Sequence, residues 1–323
     1  MKAILLRQTG GPDVLRVEEI DPPRPGDGEV VLRHTAVAVN FADLHIRQGI
    51  YFFKPELPVI PGLEGVGIVE AVGPNVTRFK VGQHAAYVGA IGAYSEARAI
   101  NVDQLFAIPE GLDDKQIAAA MLRGLTAQYL INQTYRVKSG DTILIHSAAG
   151  GMGILLTQWA KHLGAKVIGT VSTPVKAKLA KANGCDLVID TSEQRFPAAV
   201  LDFTQEQGVQ AVYDAVGKDT FDGNFEVLAV RGYFVNYGAA SGPLPPIDAK
   251  RINAKSLFFT KSSLIHYTQA PGIKNAMAEE VFKLIGENVL KPGLDFTYPL
   301  EDAAKAHADM AARKTTGSVL LIP

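Results

Sequence analysis

Residues 146–153 read HSAAGGMG and place Ala148, Gly150 and Gly153 at the spacing of a G-x-G-x-x-G loop, with alanine in the first position. A glycine at the second position lets backbone come close to a phosphate, and the third lets a helix pack tightly on its strand. The N–H groups that open such a helix lack partners and, with the helix dipole, favour an anion. A sharp structural turn has the same composition, so the string alone leaves both readings open. Its surroundings favour a dinucleotide pyrophosphate. "DTILI" reads as a strand before it, "ILLTQWAKHLG" as a helix after it, and "AKVIGTV" as a second strand.

The end of that second strand sets the coenzyme. A site selective for NAD offers an acid there to accept from the ribose 2′-OH. Residues 169–176 read GTVSTPVK and contain no acid. Ser172 and Thr173 are donors, and Lys176 suits a doubly charged 2′-phosphate. A cation in the first turn opposes the helix dipole unless an anion answers it. NADPH is therefore expected over NADH, the bland reading of Lys176 being a solvated helix residue.

The elements that must hold these residues fall into two patterns. The first third is β-rich: "KAILLRQ", "VLRVEEI", "EVVLRHTAVAVN" and "EGVGIVEAVG" are short, β-branched and divided by Gly/Pro/Asp turns, as in a small barrel or sandwich. After Pro109 strands and helices alternate, which predicts an α/β, doubly wound parallel sheet with helices on both faces. "SLFFTKSSL" adds a strand and "SVLLIP" closes the chain. The expected domains are 1–123, with 266–323 returning to it, and a dinucleotide-binding domain over 124–265.

Composition narrows the function. The chain has 323 residues, 47% in the hydrophobic class, and a formal net charge of −1. That supports about two domains and gives no electrostatic footprint for nucleic acid or an anionic membrane. Residues 142–160 lack Lys, Arg, Asp and Glu, but the internal His-Ser and Gly-Gly read as a buried strand–loop–helix, not a membrane span. The single cysteine, Cys185, excludes an intrachain disulfide and a cysteine-based zinc lobe. No signal peptide is expected at the N-terminus, and a cytoplasmic location follows as the simplest reading.

The order of a β-rich domain, "GLTAQYLI" and then "GDTILIHSAAGGMGILLTQWAKHLGAKVIGTV" resembles the medium-chain dehydrogenases/reductases. With "GGPDVL", "VNFADLHIRQGIY", "PGLEGVGIVEAVG", "VYDAVGKDTF" and "TTGSVLLIP", it is similar nearly end to end to their zinc-free quinone oxidoreductases, the zeta-crystallin type. The resemblance implies a Rossmann domain joined to a GroES-like catalytic domain. It implies that Asn40, His45 and Thr126 lie near the nicotinamide half of NADPH. Ala149, Gly150, Gly151, Met152 and Gly153 would bind the pyrophosphate, and Ser172, Thr173 and Lys176 the ribose phosphate. Thr191, Tyr237, Gly238, Ala239, Ala240, Lys261, Ser262, Ser263 and Arg313 would complete the coenzyme contacts. Tyr51 and Asn40 would line the acceptor pocket. A tyrosine often stands in these relatives where this chain has His45 and Thr191, and an arginine where it has Lys261, whose ammonium cannot form a bidentate fork. Asp43 and Glu64 read as structural hydrogen-bonding acids.

Zinc enzymes of the superfamily carry a ligating cysteine at the position of Asn40 and a Gly-His-Glu where this chain has Gly62-Leu63-Glu64. Neither Asn40 nor Leu63 is a zinc ligand, and the seven histidines contain no His-x-x-x-His pair, so no metal is expected. Without a Lewis acid, the easier chemistry is hydride delivery to an already electrophilic quinone. A 2-enoyl or enone reductase is the rival enzyme, and a non-enzymatic NADPH-binding protein of crystallin-like or RNA-binding type the rival outside catalysis. A homodimer is expected from the family, with the apolar edge near "SLFFTKS" as a surface needing cover.

Overall fold

The computed structural model describes residues 1–323, which form two compact units. One comprises Met1–Arg123, Ala278–Gly286 and Pro292–Pro323, and the other Gly124–Met277 and Glu287–Lys291. The second join therefore falls beyond the 265 boundary expected from the sequence. No helix is long and apolar enough to cross a membrane.

The first unit is mostly antiparallel. Strands β1 (Lys2–Leu6) and β2 (Leu15–Glu19) pair antiparallel as a separate two-stranded sheet. Its larger sheet is built on β3 (Glu29–Val39), β4 (Glu64–Val72), β5 (His84–Val88), β6 (Ala97–Asn101) and β7 (Leu105–Ala107). The C-terminal β14 (Phe296–Pro299) and β15 (Val319–Ile322) complete it in the order β14-β15-β3-β4-β5-β7, with β6 also on β3. Val30, Leu32, Val37 and Val39 of β3 join Ile4, Leu6, Val69, Tyr87 and Leu321 in one core. Each such aliphatic side chain contributes roughly 1.5–3 kcal/mol by leaving water. Helix α1 (Phe41–Gln48) follows β3 directly and stops at Gly49, whose φ of 74° is the left-handed geometry that glycine adopts without penalty. Helix α7 (Ala303–Ala311) buries Ala303, Ala306, His307 and Met310.

The second unit is the doubly wound sheet. Its six strands are β8 (Thr142–Ile145), β9 (Lys166–Val171), β10 (Leu187–Asp190), β11 (Val209–Asp214), β12 (Leu228–Asn236) and β13 (Phe258–Lys261). All pair parallel, in the order β10-β9-β8-β11-β12-β13. The order reverses between β8 and β11, and ligands of open α/β sheets bind at such a switch point, beyond the carboxyl ends of the strands. The β-branched runs "TILI" and "KVIGTV" are buried as expected for strands covered on both faces. Helices α3 (Gly151–His162), α4 (Pro174–Ala182), α5 (Phe196–Phe203) and α6 (Phe221–Val227) form the crossovers. Helix α2 (Asp114–Tyr129) leads from the first unit into the second.

Candidate functional site

Nearly every expected coenzyme residue of the second unit falls at one edge of its sheet. The loop with Ala149, Gly150, Gly151, Met152 and Gly153 follows β8, Ser172 and Thr173 follow β9, and Thr191 follows β10. Tyr237, Gly238, Ala239 and Ala240 follow β12, while Lys261 ends β13 ahead of Ser262 and Ser263. Five of the six parallel strands thus deliver these residues to their carboxyl ends, and Lys176 lies in the first turn of α4 behind β9. Thr126 is the exception, half-buried on α2.

The β8–α3 loop is built for an anion. Gly150 is the N-cap of α3 and has no side chain to cap it, so the opening N–H groups of Gly151, Met152 and Gly153 are left to an outside acceptor. Gly153 is pressed on the Ser147 carbonyl and the Ala148 backbone, so closely that no Cβ fits. At Gly150 the only neighbour a Cβ would meet is Ser147 O, at 3.2 Å. One glycine is required by packing and the other leaves the approach open. Ser147 itself holds φ at 55°.

The β9 end carries hydroxyls and a lysine and no acid of its own. Thr173 caps α4, its Oγ1 accepting the Lys176 N–H at 3.3 Å, which leaves its own hydroxyl hydrogen for another partner. Thr191 differs: its N–H and its hydroxyl both donate to Val171 O, at 2.8 and 3.0 Å. Its single hydroxyl donor is thus committed to the backbone. Asp190, the acid ending the neighbouring strand, accepts from the Ser192 N–H at 3.0 Å and hydroxyl at 2.7 Å on one oxygen.

Beneath this edge lies a buried polar chain that the sequence reading missed. Asn224 Nδ2 donates to Asp214 Oδ2 at 3.2 Å, so Asn224 Oδ1 faces His146 Nε2 at 2.7 Å. His146 Nε2 therefore carries the hydrogen and Nδ1 accepts the Thr170 hydroxyl at 2.8 Å. Burial lowers the His146 pKa, which keeps the ring neutral, while Asp214 works against that. Asp214 Oδ1 also accepts from Val216 N–H, Gly217 N–H and the Thr220 hydroxyl. The chain stitches the ends of β8, β9 and β11 to α6. Its one sequence signal is an acid closing the apolar run "QAVYD". At the end of β12, Asn236 Oδ1 and the Tyr237 hydroxyl are buried without a hydrogen-bond partner.

In the first unit, Asn40, His45 and Tyr51 gather around α1. Asn40 is its N-cap residue, 7% exposed, and its backbone N–H donates to Asp43 Oδ2 at 2.8 Å. Its side-chain Nδ2 donates to Glu64 Oε1, also at 2.8 Å. Glu64 Oε2 accepts the Leu122 N–H at 2.7 Å, and Arg123 lies 3.7 Å from Oε1 while donating to Val39 O at 2.8 Å. Asp43 and Glu64 thus hold the hydrogen-bonding roles expected of them. Arg123, a lone cation in the apolar "AAAMLRGL", was overlooked. His45 is half-buried on α1, and burial lowers its pKa. Tyr51 follows the helix, its phenol raised by burial and by the Asp43 charge. Its ring packs on Phe52 and Phe53 with centroids 4.4 and 5.1 Å away. Arg313 lies beyond α7 with φ at 58°, exposed. No group of three or more His, Cys, Asp or Glu side chains is arranged to hold a metal ion.

Two domain families match the chain. Residues 26–139 match the alcohol dehydrogenase GroES-like domain family, and residues 151–285 the zinc-binding dehydrogenase family. A quinone oxidoreductase of Pseudomonas aeruginosa is 44% identical over 324 residues, covering 100% of this chain and 99% of its own. A 2-haloacrylate reductase of Burkholderia sp is 42% identical over 328 residues, covering 99% of this chain and 98% of its own. The structure of Escherichia coli quinone oxidoreductase complexed with NADPH superimposes with a TM-score of 0.95 at 38% identity, covering 100% of both chains.

Proposed function

Because the chain belongs to the quinone oxidoreductases of the medium-chain dehydrogenase/reductase superfamily, we propose that it reduces a quinone or similarly conjugated carbonyl with NADPH, without a metal ion. The observation that carries the reading is the carboxyl edge of the six-stranded sheet. It offers uncapped N–H groups at α3, an open approach at Gly150 and an acid-free turn with Lys176 after β9. These fit a pyrophosphate and a 2′-phosphate. When bound, NADPH supplies the hydride. The protein's share is to bind and orient the coenzyme through Gly150, Gly151, Met152, Gly153, Ser172, Thr173 and Lys176, and to present an acceptor to it. Asn40, held by Glu64, and Tyr51 line the acceptor's surroundings. Holding both reactants in register replaces an encounter in solution by a positioned one.

The similarity to a 2-haloacrylate reductase favours a second reading, in which the acceptor is an α,β-unsaturated carbonyl. Both acceptors take hydride at carbon and place the resulting negative charge on a conjugated oxygen. Stopped-flow oxidation of NADPH and NADH by a panel of quinones and enones tests the pair. Turnover of quinones with a preference for NADPH is expected. Enone turnover alone supports the second reading, and no turnover of either class overturns both.

A further inference from the structure

Two carboxylates and one guanidinium share the buried space around Asn40. Asp43 is 0% exposed, Glu64 1% and Arg123 6%. Arg123 is the cation that acts on both acids. Arg47, also buried, interacts with Tyr94, Asp13 and His307 and is not among the groups acting on Asp43. With both carboxylates ionised, this space would carry a net negative charge away from water. Like charges so placed do not both ionise, and one acid keeps a proton.

Donors decide which. Glu64 is paired as a carboxylate on both oxygens, by Asn40 Nδ2 and by the Leu122 N–H, with Arg123 beside it. Asp43 receives one donor, the Asn40 N–H on Oδ2, while Oδ1 is buried without a hydrogen-bond partner. The group facing Asp43 is the Tyr94 hydroxyl, which lies 2.9 Å from His307 Nε2. Burial and the Arg47 charge lower His307 to about 3, which keeps its ring neutral.

We propose that Asp43 carries a proton on Oδ1 in the resting protein and is a positioning residue for the reduction, keeping the surroundings of Asn40 uncharged. This rests on the reading that Asn40 lines the acceptor site. Hydride addition places negative charge on the acceptor's oxygen, which a proton from solvent then neutralises. Asp43 keeps its own proton throughout. An ionised Asp43 would oppose the developing charge in a space with little screening.

The sign of the pH dependence follows. Burial pushes the Asp43 carboxyl up to about 7 against the Asn40 N–H, with Glu64 adding to the rise and Arg123 and Tyr94 opposing it. The acid is neutral below that value and charged above it. The other groups that sense Asp43 are the Tyr51 and Tyr87 phenols, both raised by burial, Tyr87 to about 12. Turnover therefore declines as pH rises through neutrality.

Two measurements on the full-length protein test this. Infrared difference spectra between wild type and Asp43→Asn, near neutral pH, read the proton directly and need no substrate. A buried carboxylic-acid C=O band present in wild type and lost in the variant is expected; no such band, or a band the variant retains, overturns the assignment. The rate of NADPH oxidation by one quinone is then followed from about pH 6 to about pH 8.5. The wild-type ratio between the two ends is expected to be severalfold and to shrink toward one in Asp43→Asn. An unchanged ratio overturns the electrostatic role. Should Asp43→Asn not fold, Tyr94→Phe removes the hydroxyl facing Asp43 and must shift the band; an unshifted band overturns the proposal. If no quinone turns over, the infrared result still stands or falls alone.

Discussion

Asn40 Nδ2 donates to Glu64 Oε1 at 2.8 Å, and the direction of that bond fixes the Asn40 amide: nitrogen faces the carboxylate, and the carbonyl oxygen is turned from it. Glu64 holds this orientation only while it is itself held by the Leu122 N–H and by Arg123. Glu64→Gln offers one accepting oxygen where two donors need one, and it strands a buried guanidinium. Breaking such a pair costs about 3–5 kcal/mol, whereas removing both charges costs much less. Urea unfolding should show that loss for Glu64→Gln, with a substantial part recovered in Glu64→Gln/Arg123→Met. Additive losses in that double-mutant cycle would refute the coupling.

Two glycines of one loop separate packing from binding. Gly153→Ala drives a methyl into the Ser147 carbonyl and the Ala148 backbone, an overpacking that costs about 1–3 kcal/mol and displaces the start of α3. Thermal unfolding should fall by several degrees, with NADPH affinity reduced about tenfold. Gly150→Ala meets only Ser147 O, at 3.2 Å, so its methyl mainly enters the approach to the phosphate. It should weaken NADPH in fluorescence titrations while leaving the melting temperature nearly unchanged. Equal effects of the two variants on melting would refute the distinction.

How far the sequence carries differs between the units. The doubly wound sheet was legible because its neighbouring strands β8 and β9 are largely buried β-branched runs in alternation with helices, and its ligand edge follows from topology once the strand order is known. Gly150 and Gly153 could be told from ordinary turn glycines by the helix behind them. Contacts between residues far apart were not legible. Asp214 gathers donors from Val216, Gly217 and Thr220, and through Asn224 it sets the tautomer of His146, yet only the position of an acid at the end of an apolar run hints at it. Arg123 and Glu64 lie 58 or more residues from their partners Val39 and Leu122, and no local period records such a pair. Thr191 stands where coenzyme contact was expected, but its hydroxyl hydrogen goes to Val171 O, a choice of rotamer that no pattern of residue types encodes.

Coenzyme preference should depend on Lys176. Residues 169–176 contain no acid to select a ribose hydroxyl. A charge-assisted contact to phosphate is worth about 1.5–3 kcal/mol when dry and less at a half-buried lysine. Lys176→Ala should therefore raise the NADPH dissociation constant about tenfold and leave that of NADH within about twofold. An unchanged affinity ratio in parallel titrations would remove Lys176 from the coenzyme site.

Stability should carry an acid limb traceable to His34. Its Nδ1 lies 2.7 Å from Ser95 O and must donate, so Nε2 accepts the Tyr87 hydroxyl at 2.8 Å and the ring is locked neutral. Burial lowers its pKa from 6.5 to about 4, the Arg98 charge adding to the shift and Ser95 opposing it. As pH falls the unfolded chain takes up this proton first. The contribution is therefore complete above about 6.5 and is lost between there and about 4, at about 1.4 kcal/mol per pH unit and about 3 kcal/mol in all. His34→Gln is uncharged at every pH and lacks this term, though it forfeits part of the hydrogen bonding. Urea unfolding at a series of pH values should show wild type the more stable at neutrality, with the gap closing steadily toward about pH 4. A gap that stays constant or widens on acidification would mean that His34 does not titrate as a buried neutral ring.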